Sequence, residues 1–210
     1  MSLHRVLALA LLPYSVALLA IELATSQEHV RNYFTDLEGP VVLYGVNTTL
    51  SVSLLWGCGL LCGVAVYLRG DDRPWATRGG RFLCLQAALL AYLGLDDRFL
   101  IHERIDGLTG LSNAVVLGGV GVAQLAVLVW YRAEWDSAAA RRCLIAAASL
   151  FLVMMVIDAL GPAGMVLRLS VEDLCKTWSA FFLFLFGCEI VRQQHAVSEQ
   201  PRPASTTRLD

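Results

Sequence analysis

Six apolar stretches constrain this sequence of 210 residues more than any other feature. A transmembrane helix needs about 20 apolar residues to cross about 30 Å of hydrocarbon. Only 16% of the residues are charged, against about 25% in an ordinary soluble domain. The sequence therefore predicts an all-α integral membrane protein, a bundle of six transmembrane helices in a single domain over residues 1–191, followed by a disordered cytoplasmic tail over 192–210. The predicted spans cover about residues 6–24, 41–68, 82–101, 113–131, 143–160 and 171–191.

The distribution of Lys and Arg predicts the orientation of the bundle. Eleven of the 16 Lys and Arg residues lie at the N-terminus, in the second and fourth connecting loops and in the tail, and five lie on the other side. Cytoplasmic loops are enriched in Lys and Arg. We therefore expect both termini in the cytoplasm, in a multi-pass protein of the plasma (inner) membrane.

The first apolar stretch has two interpretations. His4 and Arg5 followed by an apolar run and by Ala24-Thr25-Ser26 are compatible with a cleaved signal peptide over residues 1–26. The apolar run is longer than the usual signal-peptide core of about 7–15 residues. We therefore favour a retained transmembrane helix.

Ionisable residues gather at the outer ends of three predicted helices. An ionisable side chain inside a bilayer costs several kcal/mol unless it is paired or hydrated, and it commonly marks a functional site. Asp158 stands alone in an apolar run, and Lys176 lies inside the last span, where it needs a carboxylate partner such as Asp96 or Asp158. The outer ends of the third, fifth and sixth segments carry Asp96, Asp97, His102 and Glu103, then Asp158, and then Glu172, Asp173 and Lys176.

These residue types suggest a metal-dependent membrane enzyme, similar to a hydrolase, that acts on a lipid or another membrane-embedded substrate. On one continuous helix Asp96 and Glu103 share a face, because seven residues make about two turns. Carboxylates with one imidazole suit a divalent metal such as Zn, Mn, Fe or Mg. We expect Asp96, His102 and Glu103 to be metal ligands, and Asp158, Glu172 and Lys176 to be catalytic.

Two other functions fit the same residues. They could form a relay in a proton- or cation-coupled transport subunit, although the inner half of the spans is almost free of polar residues. They could also be an ion-pair network in a structural or assembly protein. In that case Ser170 caps the last helix and Glu172 pairs with Lys176 four residues on.

The partners that the sequence suggests are the lipid bilayer, a lipid substrate and a second copy of the chain. A net charge of −2 without a basic stripe gives no sign of nucleic-acid binding.

One short motif resembles a known class of enzymes. Glu172-Asp173-x-x-Lys176 is similar to the EExxK motif of a class of intramembrane proteases related to the bacterial anti-sigma-factor protease group. The match covers five residues. The histidine motifs that follow in that class have no counterpart, because His195 is the only histidine downstream. No activity is carried over from this likeness.

Overall fold

All the regular structure in the described part of the protein is helical. A computed structural model describes residues 3–30, 45–69, 73–160 and 167–198, and these ranges contain eight α-helices and no strand, which confirms the all-α prediction. Single 3₁₀ turns lie at Pro74–Ala76 and Arg132–Glu134. The helices are α1 Leu3–Ala24, α2 Gln27–Val30, α3 Val46–Leu68, α4 Arg78–Phe99, α5 Ile101–Thr109, α6 Asn113–Trp130, α7 Ala138–Leu160 and α8 Arg168–Ser198. The predicted disordered tail was wrong over residues 192–198, because α8 continues as a helix to Ser198. Residues 199–210 lie outside the described residues.

Three of the described helices are long and apolar enough to cross a membrane. They are α3 over Val46–Leu68, α7 over Ala138–Asp158 and α8 over Arg168–Ala196, and two shorter apolar helices cover Leu11–Ala24 and Val115–Trp130. Large apolar side chains such as Val122, Leu125 and Leu152 are exposed on α6 and α7. Such surfaces suit contact with lipid. The finding fits a membrane protein, while six spans and their orientation stay predictions.

Helix α8 is the centre of the bundle. It packs along α7 on one side and along α3 on another, and α3 in turn packs along α4. Helices α1 and α2 lie against α8, and α6 lies against α4 and α5. We call the end where α3 and α8 begin and α4 ends the upper end, and the opposite end the lower end.

Aromatic side chains close the lower half of the bundle. The Phe82 and Tyr131 ring centroids are 5.8 Å apart, and those of Trp135 and Phe186 are 5.7 Å apart. All four side chains are buried together with Ile190. We call Phe82, Tyr131, Trp135 and Phe186 the aromatic cluster. Together with Ile190 they fill this part of the core with aromatic and apolar side chains.

A glycine allows α3 and α8 to approach closely. A Cβ atom at Gly187 on α8 would collide with Sγ of Cys58 on α3. The Cys58 thiol lies 3.3 Å from the Leu183 carbonyl oxygen and donates to it. Small residues at such crossings let helix backbones pack tightly in membranes. Gly187 thus helps to set the distance between the two helices that carry much of the upper end.

Candidate functional site

A cavity of about 240 Å³ lies at the upper end of the bundle. Its walls come from α3, α4, α6, α7 and α8 and from the α4–α5 junction. Apolar side chains such as Leu93, Leu117 and Phe151 also contribute to its wall. The polar side chains that line it are Ser51, Asp96, Asp97, His102, Asp158, Glu172, Lys176 and Ser179. The structure thus brings five of the six predicted site residues to one cavity, and the side chain of the sixth, Glu103, lies outside the described part of the chain.

A break at Leu100 places His102 against Asp96. Leu100 adopts a left-handed conformation with φ 51° and ψ 46°, so α4 ends at Phe99 and α5 starts in a new direction. The Leu100 side chain cannot cap α5, and the Asp96 carboxylate does so instead. Its Oδ1 accepts from the backbone N–H of His102 at 2.9 Å, and its Oδ2 lies 2.8 Å from His102 Nδ1. The one-helix geometry that places Asp96 and Glu103 on a common face therefore does not hold, because the helix ends between them.

The Asp96–His102 pair is well shielded. The side chains are 4% and 16% exposed, respectively. A carboxylate on Nδ1 fixes the ring orientation, and Nε2 is then the nitrogen suited to exchange a proton or bind a metal. This is the arrangement of an oriented histidine, which the linear sequence did not indicate.

Lys176 pairs with two carboxylates that differ from the expected ones. Its Nζ lies 3.1 Å from Asp97 Oδ1 on α4 and 3.4 Å from Asp173 Oδ1 on its own helix. Ser51 on α3 donates its hydroxyl hydrogen to Asp97 Oδ2. The expectation of Asp96 or Asp158 as its partner was therefore wrong, because Asp96 is held by His102 and Asp158 by Arg168. The alternative pairing of Glu172 with Lys176 is also replaced, by the pairing with Asp173.

Asn47 ties the upper ends of three helices together. Its Nδ2 donates to the Asp173 carbonyl oxygen at 2.9 Å, and its Oδ1 accepts from Thr177 Oγ1 at 2.7 Å and from Tyr14 OH at 3.3 Å. Asn47 and Thr177 are fully buried. These bonds join α1, α3 and α8, and so they fix the part of α8 from which Lys176 projects.

Asp158 and Glu172 form the outer rim of the cavity. Arg168 Nη2 lies 3.6 Å from Asp158 Oδ1 and donates to the Asp158 carbonyl oxygen at 3.1 Å. The Asp158 side chain is 59% exposed. Glu172 interacts electrostatically with Asp158 and Asp173, and less strongly with Arg168 and Lys176. Within the described part of the chain no hydrogen bond or ion pair fixes its carboxylate, so Glu172 is the acid of this cavity that is available to a ligand.

Ser170, the predicted N-cap of α8, does not cap the helix. The helix begins at Arg168, two residues before Ser170. Ser170 is buried and its hydroxyl has no hydrogen-bond partner among the described residues. Ser170 is therefore a first-turn residue and not the cap.

The predicted metal set is brought together in part. Asp96 and His102 touch, but among the residues whose side chains are described no three Asp, Glu, His or Cys side chains converge as they would around a metal ion. Glu103 lies outside that search. Metal binding therefore stays a prediction.

The sequence reasoning missed a buried glutamine pair below the cavity. Gln124 Nε2 on α6 donates to Gln86 Oε1 on α4 at 2.9 Å. Gln86 is fully buried. A glutamine inside an apolar run was the only sign of this pair in the sequence. The pair itself depends on how α4 packs against α6, which could not be predicted from the sequence.

Comparison with known proteins gives a family. No curated protein and no solved structure matches the chain. Residues 6–190 match a family that is described as a domain of unknown function, DUF8692. This match takes in all the residues that line the cavity. Because it covers far more than half of the sequence, the chain belongs to the DUF8692 family.

Proposed function

We propose that the chain crosses the inner membrane six times with both termini in the cytoplasm. Three helices of sufficient length and two shorter apolar ones support a multi-pass protein, and the bias of Lys and Arg supports this orientation. The test is labelling of single cysteines, placed at Arg73 and at Leu108 in a variant without its native cysteines, in intact cells. A membrane-impermeant maleimide should label position 108 only. Labelling at position 73 in intact cells would contradict the orientation.

We further propose that the protein is a hydrolase-like membrane enzyme that acts on a lipid or another amphiphile. One observation carries this proposal: a single cavity combines an oriented histidine, a carboxylate available to a ligand, and apolar walls. A ligand site with apolar lining and a few polar groups is the usual form of an enzyme pocket. An amphiphile could lie with its polar head at Glu172 and His102 and its chain along Leu93 and Leu117.

The chemistry follows from the positions of the polar groups. His102, oriented by Asp96, takes a proton from a water molecule, and the water oxygen bonds to the electrophilic carbon or phosphorus of the head group. The imidazolium then returns the proton to the leaving oxygen or nitrogen as its bond breaks. General acid–base catalysis of this kind contributes about 10²–10⁴-fold. Asp158 and Glu172 hold the polar head, and Lys176 is a positioning residue that keeps Asp97 and α4 in place.

A divalent metal is a separable part of the proposal. His102, Glu103 and one oxygen of Asp96 offer ligands that Zn, Mn, Fe or Mg accept, and such an ion would supply an activated water. The test compares the metal content of the purified wild type with that of an Asp96→Asn/Glu103→Gln variant. We expect near-stoichiometric metal that is lost in the variant. No metal in either protein, with the variant still folded, would remove the metal from the proposal and leave the histidine mechanism.

The hydrolase proposal has a test that needs no known substrate. The protein is reconstituted with a lipid extract of its host membrane in heavy-oxygen water, and products that carry the label are sought by mass spectrometry. We expect labelled product from the wild type, a loss of about 100-fold or more in His102→Gln, and no change in the control His195→Gln at the lower end. Equal product from wild type and His102→Gln would refute the assignment of His102.

A structural function is the second candidate, and the closed ion-pair group of Asp97, Lys176 and Asp173 favours it. Its charges pair with one another and Ser51 donates to Asp97, so the group has protein partners without a ligand. If the protein is only an assembly factor, exchanging Lys176 would reduce stability while His102→Gln would change nothing. Transport receives less support, because the aromatic cluster closes the bundle below the cavity.

A further inference from the structure

The Gln86–Gln124 pair has two hydrogen-bonding groups that the described residues leave unused. Nε2 of Gln86 and Oε1 of Gln124 are buried and have no hydrogen-bond partner among the described residues. If the oxygen and nitrogen positions of both amides are exchanged, one donor and one acceptor again have no partner in the pair. Buried polar groups in native proteins are nearly always satisfied, so an unused donor beside an unused acceptor needs an explanation.

The pair lies directly below the cavity. Gln86 is seven residues from Leu93 on α4, and Gln124 is seven residues from Leu117 on α6, and both leucines line the cavity. Seven residues bring a helix back to nearly the same face, about 10 Å along its axis. The glutamines thus continue the cavity-facing stripes of α4 and α6 toward the middle of the bundle.

The aromatic cluster ends this line of polar groups. Phe82 lies one turn below Gln86 and is fully buried, and it packs against Tyr131, which follows Gln124 by about two turns. A ligand that passes down from the cavity would therefore meet the glutamines last. Its head would meet acids in excess, because the lining carries Asp96, Asp97, Asp158 and Glu172 but only Lys176 and His102 as cationic groups, and Arg168 is paired with Asp158.

We propose that Gln86 and Gln124 form the deep subsite of the ligand cavity and bind a hydroxyl or secondary amide within the apolar part of the ligand. This inference rests on the proposed binding of an amphiphile. Both groups donate and accept hydrogen bonds, so they match one unused donor and one unused acceptor, whereas an ester or ketone only accepts. The ligand class is thus a long-chain amphiphile that carries such a group well below its head.

The test uses two long-chain amines that differ by one hydroxyl. Octadecylamine and octadecylamine with a hydroxyl on its twelfth carbon are titrated onto the detergent-purified full chain, and binding is followed by native mass spectrometry. The amine head suits the acidic cavity. One satisfied hydrogen bond corresponds to a preference of about five- to tenfold for the hydroxylated amine.

The variants separate the deep subsite from the cavity. Gln86→Leu and Gln124→Leu should each abolish the preference while the affinity for plain octadecylamine stays as in the wild type. Gln124 lies on the peripheral α6, so its variant serves if Gln86→Leu does not fold. Gln193→Leu, which removes a glutamine bond to Ser137 at the lower end, should keep the preference.

Each contrary outcome has a distinct meaning. Equal binding of both amines by the wild type overturns the deep subsite and leaves amphiphile binding intact, as expected if the glutamines hold only a water molecule. A preference that survives both glutamine variants also overturns it. Binding of neither amine contradicts the proposed amphiphile site and the subsite together.

Discussion

Exchanging Lys176 for Met should destabilise the protein strongly. Lys176 is held between Asp97 and Asp173, and the three side chains are 28%, 14% and 13% exposed. Removing one partner of a fully buried pair costs about 3–5 kcal/mol, because a charge is left without compensation. Since water reaches part of this group, we expect about 2–4 kcal/mol, or roughly 5–15 °C in Tm for a chain of this size.

The assay is thermal unfolding in detergent, followed by tryptophan fluorescence at constant pH and salt. Arg132→Met is the matched control, because Arg132 is 69% exposed in its ion pair with Asp136 at the lower end, and such surface pairs contribute about 0–1 kcal/mol. The double variant Lys176→Met/Asp97→Asn should be more stable than the sum of the single variants by about 0.5–3 kcal/mol, because one of the two carboxylates that lose their lysine partner is then neutral. A Lys176→Met variant no less stable than Arg132→Met would refute the reasoning and show that water screens these charges.

Three further predictions concern the contacts around the site. Gly187→Ala should cost about 1–3 kcal/mol, because its methyl group collides with Cys58, and Cys58→Ala should restore part of the loss in the same unfolding assay. Asn47→Ala should cost about 1–3 kcal/mol through unsatisfied buried partners, and an unchanged Tm would contradict that. Intact mass of the protein purified from membranes should include residues 1–26, since α1 packs on α8; a mass without them would establish the signal peptide.

The helices could be predicted from the sequence because few structures other than a helix accommodate apolar runs of this length. The all-α class was confirmed, and the runs that contain α3, α7 and α8 do form helices that could cross a membrane. α4 begins at Arg78, before the predicted Phe82, because Thr77 caps it by accepting from the Gly80 N–H at 3.1 Å. A threonine shortly before two glycines is only a weak sequence signal for the start of a helix.

The arrangement of the site could not be predicted because it depends on one uncommon backbone conformation and on helix rotation. Leucine rarely adopts positive φ, so nothing in the sequence marks Leu100 as the end of a helix. Adjacent acids such as Asp96 and Asp97 point about 100° apart. Only the packing of α4 against α3, which in turn packs against α8, decides which of them meets Lys176. The sequence therefore predicted which end of the bundle carries the charged residues, but not which of these residues pair with each other.

The break at Leu100 has a consequence for how the protein is assembled during synthesis. Asp96 and His102 are six residues apart, so their pair can form within one short segment, at a small cost in chain entropy, as soon as that segment leaves the ribosome. Asp97 has no cationic partner in its own segment, and its lysine is on α8, the last of the described helices. Until α8 is made, the Asp97 charge has no cationic partner among the described residues, and only the Ser51 hydroxyl on α3, water or a proton can compensate it. A chain that is truncated before α8 should therefore be recognised and degraded as an incomplete product, although its histidine pair is already in place.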